Sequence, residues 1–115
     1  MKIIMEVKMI FYRKISKTGQ ITLTKEICIN LNLIEGEYLF IYKYKNSVVI
    51  QKHHENTTLN QCILRNGKIS IPVELRKLTG ITQNTLLKVQ INSYNDKIII
   101  LPEKDRHLRE GDMSI

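Results

Sequence analysis

The densest chemistry in this chain is cationic. Arg65 and Lys68 bracket an Asn66-Gly67 pair, Arg76-Lys77 follow shortly after, and Arg13, Lys14 and Lys17 precede a Thr18-Gly19 pair. Guanidinium and ammonium groups with few acids among them suit phosphate, and the planar fork of arginine can also bracket a guanine edge. Arg13, Arg65 and Arg76 are therefore candidates for base contact, and Lys14, Lys17, Lys68 and Lys77 for backbone charge. Each also has a plainer explanation. Arg76 and Lys77 fall in the last turn of an expected helix, where cations suit the helix dipole, and Lys14 and Lys17 fit ordinary exposed strand positions.

Other chemistries find little support. His53-His54 and His107 have no carboxylate or thiol at ligand spacing, so no metal site is expected. Cys28 and Cys62 fit no zinc pattern, and two thiols make no disulfide scaffold; reduced cysteines of a cytosolic protein are the expectation. No Ser/His/Asp set, paired-carboxylate pattern or glycine-rich phosphate loop is present, so neither an enzyme nor a cofactor is expected.

The 115 residues allow one ordinary domain, or two very small ones sharing a core. At 43% hydrophobic and 25% charged, the composition is that of a folded protein. No apolar run approaches the ~18 residues of a membrane span, and Glu6 and Lys8 interrupt any signal-peptide core in Met1–Tyr12. A cytoplasmic location is expected, nucleoid-associated if DNA is the partner. The net charge of +7 is unevenly spread: residues 13–53 and 62–102 each carry +4, whereas the tail 103–115 is slightly acidic. A folded basic surface, not a basic tail, points to a polyanion.

The two basic blocks also match each other. A shift of 48 residues pairs Ile15 with Ile63, Gly19 with Gly67, Ile21 with Ile69, Glu26 with Glu74 and Leu39 with Leu87. Leu23/Ile71, Ile27/Leu75, Leu33/Ile81 and Ile41/Val89 are apolar in both blocks, and after a two-residue insertion Val48-Val49-Ile50 meets Ile98-Ile99-Ile100. Each block reads β-β-α-β-β. In the first, strands at 13–17 and 20–23 flank Thr18-Gly19. A helix capped by Thr24 runs to about Asn32, and strands at 37–44 and 48–52 turn at Asn46-Ser47. In the second, Asn66-Gly67 has the residues of a type I′ turn, and Pro72 opens a helix that Gly80 ends. Strands at 86–91 and 97–101 then turn at 93–96.

The run Arg65-Asn66-Gly67-Lys68-Ile69-Ser70-Ile71-Pro72-Val73-Glu74-Leu75-Arg76-Lys77-Leu78-Thr79-Gly80-Ile81 resembles the signature of the AbrB/MazE/SpoVT family of bacterial and archaeal DNA-binding domains. Thr79 departs from it, standing where the family usually has an apolar residue. Lys17-Thr18-Gly19-Gln20-Ile21-Thr22-Leu23-Thr24-Lys25-Glu26-Ile27 is a degenerate version, with a family-like Leu31-Asn32-Leu33-Ile34-Glu35-Gly36-Glu37 after it. The resemblance implies a mainly β fold with short helices: a swapped-hairpin β-barrel of two β-β-α-β-β repeats, closed within one chain as a pseudo-dimer. A homo-oligomer is the alternative, as tandem MraZ-like proteins form rings. The organisation implied is an apolar N-terminal extension (1–12), repeat 1 (13–53), a linker (54–61), repeat 2 (62–102) and a charged tail (103–115), the tail mixed in charge with helical character.

What the resemblance implies about function is a transcriptional regulator on double-stranded DNA. Carried over by position, repeat 1 offers Arg13, Lys14 and Lys17, but has Cys28-Ile29 where the family has basic residues on the helix, and Gln20 after the glycine. Repeat 2 offers Arg65, Lys68 and Arg76-Lys77, but Gln61-Cys62 on its first strand. Two unequal halves would favour an asymmetric DNA site. The alternative function is a protein-interaction module: an antitoxin-like partner of a toxin, or a relative whose DNA surface has decayed. The short tail disfavours the antitoxin version. Finally, Tyr38, Phe40, Tyr42 and Tyr44 alternate with the core-facing Leu39 and Ile41, forming a second, aromatic face. Cover by the N-terminal Ile3, Ile4, Val7 and Ile10 or by another subunit, or simple partial exposure, are the expectations for it.

Overall fold

The computed structural model describes residues 7–83, 85–92, 94 and 96–103. The elements are β1 (Val7–Lys14), β2 (Gln20–Thr22), α1 (Lys25–Asn30), β3 (Tyr38–Tyr44), β4 (Ser47–Gln51), β5 (Gln61–Ile63), β6 (Lys68–Ser70), α2 (Val73–Thr79), β7 (Leu86–Asn92) and β8 (Ile98–Pro102). The protein is mainly β, with two short helices and antiparallel sheets. No helix among the described residues is long and apolar enough to cross a membrane.

One sheet has six strands in the order β1-β7-β8-β4-β3-β5, and the other is the pair β2-β6. The hairpins β3–β4 and β7–β8 lie side by side through β4 and β8, which pair Val48↔Ile100, Val49↔Ile99 and Ile50↔Ile98. The outer strands cross over: β1 pairs with β7 and β5 with β3. Leu39, Ile41, Leu87, Val89 and Ile91 point into a core shared with Ile50, Ile98 and Ile100. Alternation places them there, since every second residue of a strand shares a face. Each such fully buried side chain contributes about 1.5–3 kcal/mol.

Helices of six and seven residues are too short to persist alone. Each is pinned by one core residue, Ile27 or Leu75. The Thr24 hydroxyl caps α1 by accepting from the Ile27 N–H at 3.2 Å, and Asn32, at φ 55°, turns the chain after it. α2 has no side-chain cap at Pro72, which is the cap residue itself and not the first helical one. Gly80, at φ 76°, closes α2, and the Ile81 N–H reaches the Arg76 carbonyl at 2.9 Å.

Several sequence expectations need correction. The first strand spans Val7–Lys14 and not 13–17, so residues 7–12 form a strand of the large sheet and not an extension. Met9 and Phe11 pack against the core from it. The apolar run Met9–Tyr12 shows no alternation, because one face meets the core while Ile10 and Tyr12 stay exposed. The β3–β4 turn sits at Lys45-Asn46, one residue earlier than expected. Ser47 pairs with Tyr44 and its buried hydroxyl donates to the Tyr44 carbonyl at 2.8 Å.

The aromatic face is not covered by Val7 or Ile10. Their strand pairs with β7, and β7, β8 and β4 separate it from β3. His54 of the connector covers the middle of that face instead, with its ring centroid 5.1 Å from Tyr42 and 6.1 Å from Phe40, while Tyr38 and Tyr44 are exposed. Ile3, Ile4 and the tail residues 104–115 lie outside the described residues.

Candidate nucleic-acid interface

The expected basic residues gather around two turns tied together by β2 and β6. These strands pair antiparallel, with Ile21 opposite Ile69. Past the pair, each chain segment bonds to the glycine of the other turn. The Ile71 N–H donates to the Gly19 carbonyl at 2.9 Å, and the Leu23 N–H to the Gly67 carbonyl at 2.8 Å. Since α2 starts just after Ile71 and α1 just after Leu23, each helix begins beside the opposite turn.

At the first turn this exchange has a direct consequence. Arg76 of α2 donates from Nε to the Ile71 carbonyl at 2.9 Å, and its guanidinium packs against Gly19. A Cβ at Gly19 would be 2.7 Å from Arg76 Cζ and Nη2, so a side chain there would have to displace the guanidinium, and φ +85° itself favours glycine. Lys17, exposed, stands two residues before this glycine, and Lys77, also exposed, follows Arg76 on the helix. Bases from the two blocks thus meet at one turn. The turn's own amides are satisfied by neutral partners: the Gly19 N–H by the Ser16 carbonyl at 3.0 Å and the Gln20 N–H by the Ser16 hydroxyl at 3.0 Å.

Arg13 and Lys14 do not act as a pair. As consecutive strand residues they face opposite ways. Lys14 is exposed, whereas Arg13 lies 5.7 Å over the Phe11 ring and donates to the Tyr12 carbonyl at 2.9 Å.

The second turn holds the matching place in the fold, with a tighter loop and different chemistry. Asn66 and Gly67 have φ 55° and 72°, and Arg65 and Lys68 exchange backbone hydrogen bonds of 2.9 and 3.0 Å across them. This is the expected two-residue hairpin loop, with both cations exposed. Beside it, however, α1 presents half-buried Cys28 and Ile29, the latter 73% exposed. The Glu35 carboxylate also accepts from the Asn66 N–H and, at 3.4 Å, from the Gly67 N–H. Its charge is felt nearby: burial first, and then Glu35, raises the Cys28 thiol above its ordinary value. Burial alone pushes Cys62 up to about 11, so both cysteines stay protonated at neutral pH.

Sequence reasoning did not find Glu35. Its only signal is that acids are scarce in residues 13–53. Lys52 is another cation of this region, but it is engaged by the Asn32 carbonyl at 2.6 Å and the Glu37 carboxylate at 3.6 Å.

An open cleft of about 420 Å³ lies on the aromatic face, lined by Tyr42, Gln51, His53, His54, Glu55 and Lys97. The Tyr42 hydroxyl donates to Gln51 there, and burial, Asp96 and Tyr44 all raise its pKa. Among the described residues, no three His, Cys, Asp or Glu side chains converge as metal ligands.

No family model matches the chain, and no curated protein does. Among solved structures, the chain is similar to "The solution structure of PHS018 from pyrococcus horikoshii". The two share 17% identity over 85% of this chain and 91% of that one, with a TM-score of 0.47.

Proposed function

We propose that this chain is a DNA-binding transcriptional regulator of the AbrB type, which holds duplex DNA on a basic surface assembled from residues 13–53 and 62–102. Its fold is then a swapped-hairpin β-barrel of two β-β-α-β-β repeats closed within one chain. The crossed pairings β1–β7 and β5–β3 and the central Ile21↔Ile69 pair support that architecture. All of them form without a second chain, which favours the pseudo-dimer over a larger oligomer.

The observation that carries the functional reading is the contact of Arg76 with Gly19, which sets a helix cation beside the turn that follows Lys17. Lys14, Lys17 and Lys77 are exposed and suited to phosphate, while Arg76 is half-buried and held by its bond to the Ile71 carbonyl. A guanidinium locked in place loses little entropy on binding, which suits it to positioning or base contact.

A gel shift with genomic duplex fragments across a salt series tests this. If six or so cations meet phosphate, affinity falls by about three orders of magnitude or more between 50 and 200 mM salt. No complex at low salt, or a complex unchanged in Arg76→Ala/Lys77→Ala, overturns it. The second reading, a protein-interaction module, is favoured by the exposure of Ile29 and Ile34, at 73% and 64%. Capture of a protein partner that Ile29→Lys abolishes, with no DNA complex formed, would establish that alternative.

A further inference from the structure

We infer that Glu35 is an internal counter-anion that closes the second turn to phosphate, so that the chain engages DNA through the first turn alone. This rests on the DNA-binding reading and deepens it, by assigning specificity to a residue that touches no DNA.

By backbone geometry, the second turn is the better anion receptor of the two. Asn66 and Gly67 both have positive φ, and their consecutive amides reach the same acceptor side chain. Such amides form a concave site for oxyanions, and Arg65 and Lys68 flank them. The acceptor present is the carboxylate of Glu35, 31 residues earlier in the chain. Adjacent backbone bonds hold that segment in place: the Gly36 N–H donates to the Leu64 carbonyl at 2.7 Å, and the Leu64 N–H to the Glu37 carbonyl at 3.1 Å. Glu35 is therefore delivered to the turn by the same ladder that sets the Arg65–Lys68 hairpin.

A phosphate approaching this turn would meet an amide site already filled and a negative charge at close range. At the first turn it would meet amides satisfied by neutral Ser16 atoms, with Arg76 against the glycine. The helix faces point the same way, since α1 offers Cys28 and Ile29 where α2 offers Arg76 and Lys77. The amides of both turns are occupied, but by neutral atoms at the first and by a carboxylate, set among Arg65 and Lys68, at the second.

Two measurements on the full chain test this. In the first, titration of Glu35→Gln with a short duplex is expected to give roughly three- to tenfold tighter binding than the unaltered chain. The dependence of log affinity on log salt steepens by about one, as a further phosphate is engaged. Glutamine keeps one acceptor oxygen for the Asn66 N–H and gives up only the longer bond from Gly67, so a purely capping role predicts unchanged or weaker binding, and that result overturns the inference.

The second measurement needs no variant. Amide chemical shifts followed during titration of the unaltered chain with duplex are expected to move at Thr18 and Gly19 and to stay at Asn66 and Gly67. Equal movement at both turns overturns this inference while leaving the DNA reading intact. Movement at neither turn, with no complex in a gel, overturns both.

Discussion

The two turns of this protein sit in the same strand frame but differ in loop geometry and in nearly every side chain that faces outward. Each follows a strand, each precedes half of the β2–β6 pair, and each receives a bond from the segment leading into the other's neighbouring helix. Around Gly19 the side chains are Lys17, Arg76 and Lys77; around Gly67 they are Arg65, Lys68, Glu35, Cys28 and Ile29. Hydrophobic burial, through Ile21, Ile69, Leu23 and Ile71, specifies the frame. Surface charge can then diverge at almost no cost to folding, because exposed substitutions away from special features change stability little. The difference between the turns is thus a difference in side-chain chemistry laid on a common pair of strands.

The largest expected effect breaks the comparison from the first turn. Arg76→Ala/Lys77→Ala removes both helix cations and should lower duplex affinity on the order of 100-fold at moderate salt, with the salt slope reduced by about one for the phosphate that Lys77 meets. A gel shift or fluorescence titration reads this directly. The same two positions of α1 already hold Cys28 and Ile29, so this variant makes the two helices chemically alike.

Next is the pair Gly19→Ala and Gly67→Ala. Both glycines have positive φ, so each variant carries a conformational penalty of about 1 kcal/mol. Gly19→Ala additionally drives a methyl into the Arg76 guanidinium at 2.7 Å, whereas at Gly67 the nearest atom is the Leu23 carbonyl oxygen at 3.7 Å. Denaturant unfolding should show Gly19→Ala as the more destabilised, by about 2 kcal/mol in total. It should also bind DNA less tightly, because Arg76 is displaced. Equal penalties would mean that Arg76 moves aside freely.

Much of this fold was legible because it follows local rules. The alternation of Leu39/Ile41 and of Leu87/Val89/Ile91 identified the buried faces, Asn66-Gly67 the tight turn, Thr24 the cap of α1 and Gly80 the end of α2. What was missed is tertiary or lacks a period. Met9–Tyr12 is apolar on both faces of its strand, so its pattern placed no boundary at Val7. The cover of Phe40 and Tyr42 comes from a histidine in a connector that reads as solvated. At the candidate site, the cations were identifiable by type, but not the meeting of Arg76 with Gly19 or of Glu35 with Asn66. Both contacts join segments far apart in sequence, and neither motif spacing nor charge counting encodes which turn faces which helix.

A smaller effect comes from transplanting the first turn's chemistry to the second. Cys28→Arg/Ile29→Lys places on α1 the residue types that α2 carries, at exposed Ile29 with little packing lost and at Cys28 with the loss of a partly buried contact to the core. Against the Glu35 charge the graft should tighten DNA binding only modestly, about threefold, whereas in a Glu35→Gln background it should tighten binding roughly tenfold relative to Glu35→Gln alone. A gain that is the same with and without Glu35 would mean that the carboxylate and the grafted cations act independently.

The smallest expected effect concerns how each helix is held in place. α1 has a side-chain cap at its start, with the Thr24 hydroxyl 3.2 Å from the Ile27 N–H, but ends on a non-glycine residue in the left-handed region, Asn32. α2 has the reverse arrangement, with no side-chain cap at Pro72 and a left-handed glycine at Gly80. Thr24→Ala should therefore cost about 1 kcal/mol, read as a shift in the denaturation midpoint. Asn32→Gly should return part of that, since glycine occupies φ 55° without the penalty a side chain carries. Neither change touches a cation of the first turn, so duplex affinity should stay within about twofold in both. If Thr24→Ala weakened DNA binding as strongly as it weakened folding, α1 would be a direct participant. The division of labour between the two turns would then be wrong.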